Sequence, residues 1–496
     1  MSPRFASSTP LQGWDPFRHD MTLPKQQTMS PHALDSLGAR IFWHLLRISL
    51  SFSLILLDSA ILLFTSSVAH LVPARRRKSS QDVHFYPKTI LITGIGTAPG
   101  LALARAWNAA GHRVVGADVA DLDLPVRSGG GMSHTLLVFY RIPKDHYISR
   151  LLDIIHREKV DVWIPCSPKV APIEDATARQ VVESRTSCKC IAFDTELTAC
   201  FLHPASFRHY VMDKGLPVLE QHQVQSRDSI HKILHRSPMK SYQMRRLNPT
   251  ANESAVILPK RTLSRTYSDV SEIEVTKDRP WVLQQQTRLG EFFADILVVR
   301  GHVHAIKVRL VDSRACQWGA SRLDEALAVA IHKLMQRFAA KAGIRMTGHA
   351  SVRLLVDEEF DAHSIRHSIH IAECAPGAEA AANLLRDAPC PIAGYLAVIS
   401  PDPAPARVSA ALSPPTPQLV SRIAPYIPAH KHLRFLRPLV PLLEMLYTEI
   451  SPFIFWENPL FARQDPLPWW WHVHVYQPLR EIWLLMKQTR ESGLTE

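Results

Sequence analysis

Glu373 is the residue of this sequence best placed for metal or phosphate chemistry. It lies within residues 347–386, TGHASVRLLVDEEFDAHSIRHSIHIAECAPGAEAAANLLR. These read as a strand GHASVRLLV, a polar solvent-exposed connection DEEFDAHSIR, a second strand HSIHIAEC, a tight turn and a small-residue helix. A carboxylate near a strand end, beside a Pro-containing turn and ahead of a helix, can hold a divalent cation that bridges phosphate oxygens. A solitary edge-strand glutamate in water gives the same pattern, so Glu373 needs partners.

A second candidate is KTILITGIGTAPGLALARAWNAAGHRVVGADV, from Lys88. An apolar run, a glycine turn, an Ala/Leu-periodic helix and a second apolar run ending at Asp118 form a β-α-β opening. Gly94, Gly96 and Gly100 let the backbone turn into a helix N-terminus that can receive a phosphate. Asp118, about twenty residues on, suits a ribose hydroxyl of NAD. The same glycines also serve close strand–helix packing alone. In the tail, His472 and His474 on one strand face could bind a metal, but they lack a third ligand. Trp469, Trp470, Trp471, Tyr476 and Trp483 suit either a membrane interface or a tail packed back as extra core.

At 496 residues, 46% hydrophobic and 21% charged, the chain has globular composition and length for two or three domains. The formal charge of +12 is local: residues 229–268 carry a net +7, and Arg75–Lys78 add +4. Two patches of this kind do not make a nucleic-acid-binding surface. Seven scattered cysteines with no CxxC pair and one CxC argue against a disulfide framework or a zinc site and read as buried free thiols.

Residues 1–40 have the composition of a disordered tail. Residues 48–72, ISLSFSLILLDSAILLFTSSVAHLV, carry Asp58 as their one formal charge and are long enough to cross a hydrocarbon core of roughly 30 Å. The Arg75–Lys78 cluster that follows turns the next domain toward the cytoplasm. Asp58 is costly at a bilayer centre, and a helix lying in the interface is the alternative. Further β-α alternation follows: LLVFYRIP, YISRLLDIIHREK, VDVWIP, a helix from Glu174 and CIAFD imply a mostly parallel sheet. Leu323, Leu327, Ile331, Leu334 and Phe338 fall at the spacing of an amphipathic core helix.

The order of VDVWIPCSPKVAPIEDA, FDTELTACFLHPASFRHYVMDKGLPV, SYQMRRLNP, PWVLQQQTRLGEFFADILVVRGHVHA and TGHASVRLLV…IHIAECAPG resembles the ATP-grasp superfamily, and most closely its mycosporine-glycine synthase-like branch. The resemblance covers roughly residues 41–400. It implies an α/β and α+β fold: a membrane-anchoring hydrophobic helix and basic stop at 41–78, a Rossmann-like pre-ATP-grasp domain at 87–203, and an ATP-grasp domain at 204–400. That domain would grip ATP between two subdomains, with a mobile insertion at about 249–279 covering the cleft. A Pro-rich linker at 401–432 and a hydrophobic, aromatic region at 433–496 complete the chain. The implied chemistry is ADP-forming C–N ligation: an acceptor oxygen is phosphorylated and an amine, such as an amino acid, displaces the phosphate.

Residue by residue, the resemblance implies that Trp281, Leu283, Gln284 and Gln285 form the adenine hinge, with Gln285 where a glutamate is common. Glu291 would accept ribose hydroxyl hydrogen bonds. Arg245, at the family's lysine position, would hold phosphate. The magnesium pattern departs: acid, glutamate, asparagine and basic residue read here as Arg353, Glu373, Ala375 and Gly377, so magnesium is doubtful while ATP is the expected cofactor. Three functions follow: a membrane-bound ligase of secondary metabolism acting on small amine and acceptor substrates at the cytoplasmic face, a degenerate ATP-grasp protein that binds nucleotide or a partner without turnover, and an NAD(P)-dependent oxidoreductase. The ligase reading also counts membrane lipid as a partner.

Overall fold

The computed structural model describes residues 37–71, 85–120, 126–237, 240–246, 256–260, 262–273, 275, 281–286, 290–310, 325–361, 364–386, 390–400, 411–412, 454 and 458–493. The chain parts into two compact units. One comprises residues 1–53, 417–454 and 478–496, the other 54–416 and 455–477. Of the expected tail at 1–40, residues 37–40 instead open a helix, while 1–36, the basic stop at 75–78 and nearly all of the Pro-rich linker lie outside the described residues.

Helix α1 (Leu37–Leu71) is continuous because its apolar run contains neither Gly nor Pro after Gly38. After it, β1 (Thr89–Thr93), α2 (Ala98–Ala109), β2 (Arg113–Ala120), β3 (Val138–Pro143), α3 (Tyr147–Glu158), β4 (Val162–Pro165), α4 (Pro172–Arg185) and β5 (Lys189–Cys190) build a parallel sheet in the order β3-β2-β1-β4-β5. The order reverses at β1, the position where open α/β sheets leave a crevice. Period-2 alternation sends Ile90 and Ile92 toward Leu103 and Trp107 of α2, and Leu91 toward Leu151 of α3. Thr97 caps α2, its hydroxyl accepting from the Gly100 amide at 3.3 Å. Of CIAFD only Cys190 is in a strand, the two-residue β5.

Helices α5 (Thr195–Leu202) and α6 (Pro204–Asp213) lead into a smaller lobe. Its β6 (Gln221–Val224), α7 (Arg227–Arg236), β7 (Tyr242–Arg246), β8 (Val256–Leu258), α8 (Leu263–Glu272) and β9 (Trp281–Gln285) form a four-stranded antiparallel sheet, β6-β9-β7-β8. Part of the stretch expected as a mobile cover is therefore β8 and α8. Leu258 and Val270 are buried with Ile230, Tyr242, Met244 and Trp281, which ties both elements to the core.

The larger lobe holds β10 (Gly290–Val299), β11 (His302–Leu310), α9 (Glu325–Ala342), β12 (Gly348–Asp361), β13 (Ser364–Pro376), α10 (Ala378–Leu385), α11 (Ile392–Leu396) and β14 (Ala411–Leu412). Its sheet order is β13-β12-β10-β11-β14. Phe292, Ala294 and Ile296 of β10, and Val352 and Leu354 of β12, pack with Leu327, Ile331, Leu334 and Phe338 of α9. Leu323 lies outside the described residues. The polar DEEFDAHSIR is no open connection: β12 and β13 stay paired to Asp361 and Ser364, so it extends the hairpin itself.

Toward the C-terminus, α12 (Leu467–Trp471), a π-helical turn (His472–Tyr476) and α13 (Gln477–Gly493) run on without a break. His472 and His474 are thus helical, not on a strand face. The ring of His472 stacks on Tyr476 at 5.6 Å. Trp469 and Val473 are fully buried, as expected of a tail packed back as core. Asp465 fixes this segment, receiving Arg105 of α2 at 3.0 Å and the Ser133 hydroxyl at 2.6 Å.

Candidate functional site

In the large sheet, the face that turns away from α9 carries charge. Alternation places Glu291, Phe293 and Asp295 of β10 on it, and register brings Arg309 and Lys307 of β11 and Arg353 and Ser351 of β12 beside them. Glu373 of β13 is the ladder partner of Arg353. A bulge beside that pair shifts the register between Arg353 and Leu354, which aims Glu373 at its neighbour.

Arg353 joins two of the carboxylates. Its Nη2 donates to Glu373 Oε1 at 3.0 Å and its Nη1 to Glu291 Oε2 at 3.3 Å. Nε of the same guanidinium is buried without a hydrogen-bond partner among the described residues. The third carboxylate, Asp295, is fully buried; it accepts from Arg309 and, at 2.7 Å, from the Ser351 hydroxyl. Lys307 donates to the Arg386 carbonyl. A buried carboxylate persists only where donors replace its water, and here arginine and serine do so.

Magnesium does not fit this arrangement. The two half-exposed carboxylates already share one cation, and among the described residues no group of three or more His, Cys, Asp or Glu side chains could hold a metal. Ala375 presents a methyl group where the resemblance implies an asparagine, and it faces Ser351 across the ladder. Gly377 caps α10 at φ 117°, with no side chain to offer.

The remaining expected residues fall on the smaller lobe. β9 is an inner strand between β6 and β7, and Trp281 and Leu283 point into the core below α7 and α8. The amides of Gln285 and Gln286 donate to the Glu220 and Ser241 carbonyls at 3.0 and 2.7 Å. Gln284 lies half-buried on the strand's other face. Arg245 sits on β7 directly across from Val282 of β9, so the expected phosphate cation and hinge strand are neighbours. Glu291, expected at a ribose, has its half-exposed carboxylate paired with Arg353.

At the first glycine turn the geometry is closed. Asp118 accepts from the Gly96 amide at 2.9 Å and from the Ser128 hydroxyl. Burial pushes its carboxyl up, opposed by those two donors. The 3₁₀ turn Gly129–Met132 lies directly over the glycine turn, and a Cβ added at Gly130 would collide with the Ile95 carbonyl. Asp118 is thus a clasp of the turn, and the Gly129–Met132 turn packs closely on its backbone.

Sequence reasoning missed two buried groups, Asp175 and His349. They line a cavity of about 20 Å³ with Pro376 and Gly377, space for about one water. Burial raises the Asp175 carboxyl to about 7 and lowers the His349 imidazole to about 4. Tyr147 donates to Asp175 at 2.8 Å, and His349 pairs with the Tyr395 hydroxyl at 2.8 Å. Their only sequence signal was polarity beside apolar runs. A second, open pocket of about 440 Å³ lies among Arg179, Glu183, Asp194 and Arg345, away from the charged sheet face.

No family model matches the sequence, and no curated protein matches it. Among solved structures, the chain is similar to the biotin carboxylase subunit of pyruvate carboxylase (11% identity, TM-score 0.42, 62% of this chain and 71% of that one). It is also similar to an ADP complex of N5-carboxyaminoimidazole ribonucleotide synthetase (15%, 0.36, 59% and 71%) and to L-amino acid ligase from Bacillus licheniformis (14%, 0.34, 59% and 67%). These neighbours are ATP-grasp enzymes. Likeness of this degree carries no residue roles across, and the site stands on its own geometry.

Proposed function

We propose that this protein is a degenerate ATP-grasp protein that binds an adenine nucleotide between its smaller lobe and the charged face of the large sheet, without metal-driven turnover. One observation carries the reading: Arg353 is paired to both Glu291 and Glu373. Phosphoryl transfer needs cations that neutralise charge developing on the γ-phosphate. A guanidinium supplies one charge and a planar fork suited to phosphate, but it does not bridge phosphates as a metal does. Arg245 would hold phosphate from the smaller lobe, and Arg353 would receive it once the nucleotide displaces its carboxylates.

The ligase reading, with its amine and acceptor substrates and its mycosporine-glycine synthase-like branch, is second. Half-exposed Glu291 and Glu373 would serve it only after Arg353 swings away. The dinucleotide reading has less support, because Asp118 is already engaged by the Gly96 amide and the Ser128 hydroxyl and the Gly129–Met132 turn packs on the glycine turn. A membrane surface is the proposed location: among the described residues one helix stretch, Trp43–Val68, is long and apolar enough to cross a bilayer.

Thermal unfolding of the full chain with ATP, ADP or NADPH, each with magnesium or with EDTA, tests the proposal, since a ligand of the folded state stabilises by mass action. Equal stabilisation by ATP with and without magnesium, and none by NADPH, is expected. Robust magnesium-dependent ADP release by the unaltered protein would overturn it.

A further inference from the structure

Helix α1 is inverted relative to a helix on a water-soluble domain. Leu56, Leu57, Leu63 and Phe64 are 83%, 60%, 68% and 70% exposed, whereas Asp58 is 2% exposed. The buried carboxylate accepts from His474 Nε2 at 2.9 Å, and the neighbouring Ser59 hydroxyl accepts from Trp470 Nε1 at 3.1 Å. His44, Arg47, Ser51 and Asp58 follow one another at steps of three, four and seven, one face of a helix. Polar residues inward and apolar residues outward is the pattern of helices in lipid.

The partner of Asp58 fixes how that helix can sit. The segment carrying Trp470 and His474 is packed on the parallel-sheet domain: a Cβ added at Gly129 would collide with the Pro468 carbonyl and the His472 side chain, and Trp471 Nε1 donates to the Arg127 carbonyl at 3.2 Å. His474 follows His472 by two residues, about 3 Å of helix rise. Asp58 is therefore held within about one helical turn of the domain surface. In a 26-residue stretch from Trp43 to Val68, Asp58 is also close to the centre. Were α1 to cross a hydrocarbon core of roughly 30 Å, Asp58 would lie about 4 Å from the midplane. It would draw Arg127, Gly129 and the turn around them into the acyl chains, where unsatisfied backbone and charge are not tolerated.

We propose that α1 does not span but lies in the plane of one leaflet, its Leu56, Leu57, Leu63 and Phe64 face in the acyl boundary and the globular domain seated on the same side. This rests on the membrane location proposed above. The occupant is lipid, with anionic headgroups favoured, because the four cations Arg75–Lys78 follow the helix directly.

Epitopes at both ends of the full chain, expressed in cells and probed in sealed microsomes, decide the orientation. The in-plane helix leaves both epitopes open to protease from the cytoplasmic side. Protection of the N-terminal epitope while the C-terminal one is digested would overturn the in-plane arrangement and leave the membrane reading standing. In flotation with phosphatidylcholine–phosphatidylserine vesicles, the full chain should float, and the double variant Leu56→Glu/Phe64→Glu should float at least about tenfold less with an unchanged unfolding midpoint. A chain that never floats and sediments as a dimer through this face would overturn both.

Discussion

Arg353 and Glu373 stand opposite one another in the ladder of β12 and β13, their side chains 3.0 Å apart, where the resemblance implies two ligands of a magnesium ion. On the proposed reading the guanidinium supplies the charge that a metal would bring, and it is bound covalently to the fold. A tethered cation cannot leave with product or be chelated away, and it brings one charge where a magnesium brings two.

Restoring the implied ligands should therefore create a metal requirement. Arg353→Asp with Ala375→Asn places two more oxygen donors beside Glu373 and removes a cation whose repulsion of a metal charge amounts to about 4 kcal/mol per unit charge at 4 Å and an effective dielectric of 20. Nucleotide-dependent thermal stabilisation of this variant should become sensitive to magnesium. Stabilisation that stays indifferent to the metal would show that the β12–β13 site does not meet the nucleotide.

Arg245 tests the other lobe. Its strand is directly beside β9, the proposed hinge strand, with Arg245 across from Val282. Arg245→Ala should weaken ADP binding by about 1.5–3 kcal/mol, the size of a hydrogen bond to a charged group. Unchanged affinity in a folded variant would remove Arg245 from the site.

Asp465 is a prediction about stability. It is buried and gathers Arg105, Ser133 and His134, the last at 2.8 Å. Burial lowers the Arg105 pKa, and Asp465 opposes that shift. Asp465→Ala leaves a largely buried guanidinium without its carboxylate, with only the Leu460 and residue-465 carbonyls as acceptors among the described residues, so chemical denaturation should show a loss of about 3–5 kcal/mol. A loss below about 1 kcal/mol would mean that the C-terminal segment is not held by this carboxylate.

Asp175 and His349 give opposing pH dependences. The Asp175 carboxyl is raised from 3.8 to about 7, so its favourable contribution is complete below pH 3.8 and is lost as pH rises to about 7. The His349 imidazole is lowered from 6.5 to about 4, so its contribution is complete above pH 6.5 and is lost as pH falls to about 4. Each slope is at most about 1.4 kcal/mol per pH unit, and they oppose between pH 4 and 6.5. Asp175→Asn should leave stability rising with pH across that window, and His349→Gln should leave it falling. Identical profiles for both variants and the wild type would contradict the assignment.

What could be read from the sequence follows chain distance. The β-α-β opening was legible because Ile90–Ile92, the glycine turn and the α2 periodicity lie within thirty residues of one another. Strand β8 and helix α8 were not, because Leu258 and Val270 are thinly set among Ser, Thr and Arg. Glu373, Arg353 and Glu291 were each singled out, yet the clamp they form was invisible: Glu291 and Arg353 are 62 residues apart and meet only through the β10–β12 register. Asp58 read as a liability of a spanning helix until its partner, 416 residues away, was placed beside it.

The Arg353 clamp makes a prediction opposite in sign to that of a metal site, and calorimetric titration of ADP into wild type and Glu373→Gln reads it directly. Removing a metal ligand weakens nucleotide binding, whereas removing one counter-ion of Arg353 frees a donor pair for phosphate. In EDTA, Glu373→Gln should bind ADP about three- to tenfold more tightly than wild type, short of a full charged hydrogen bond because Glu291 still holds the other arm. Weaker binding by Glu373→Gln, together with wild-type affinity that rises when magnesium replaces EDTA, would contradict the account.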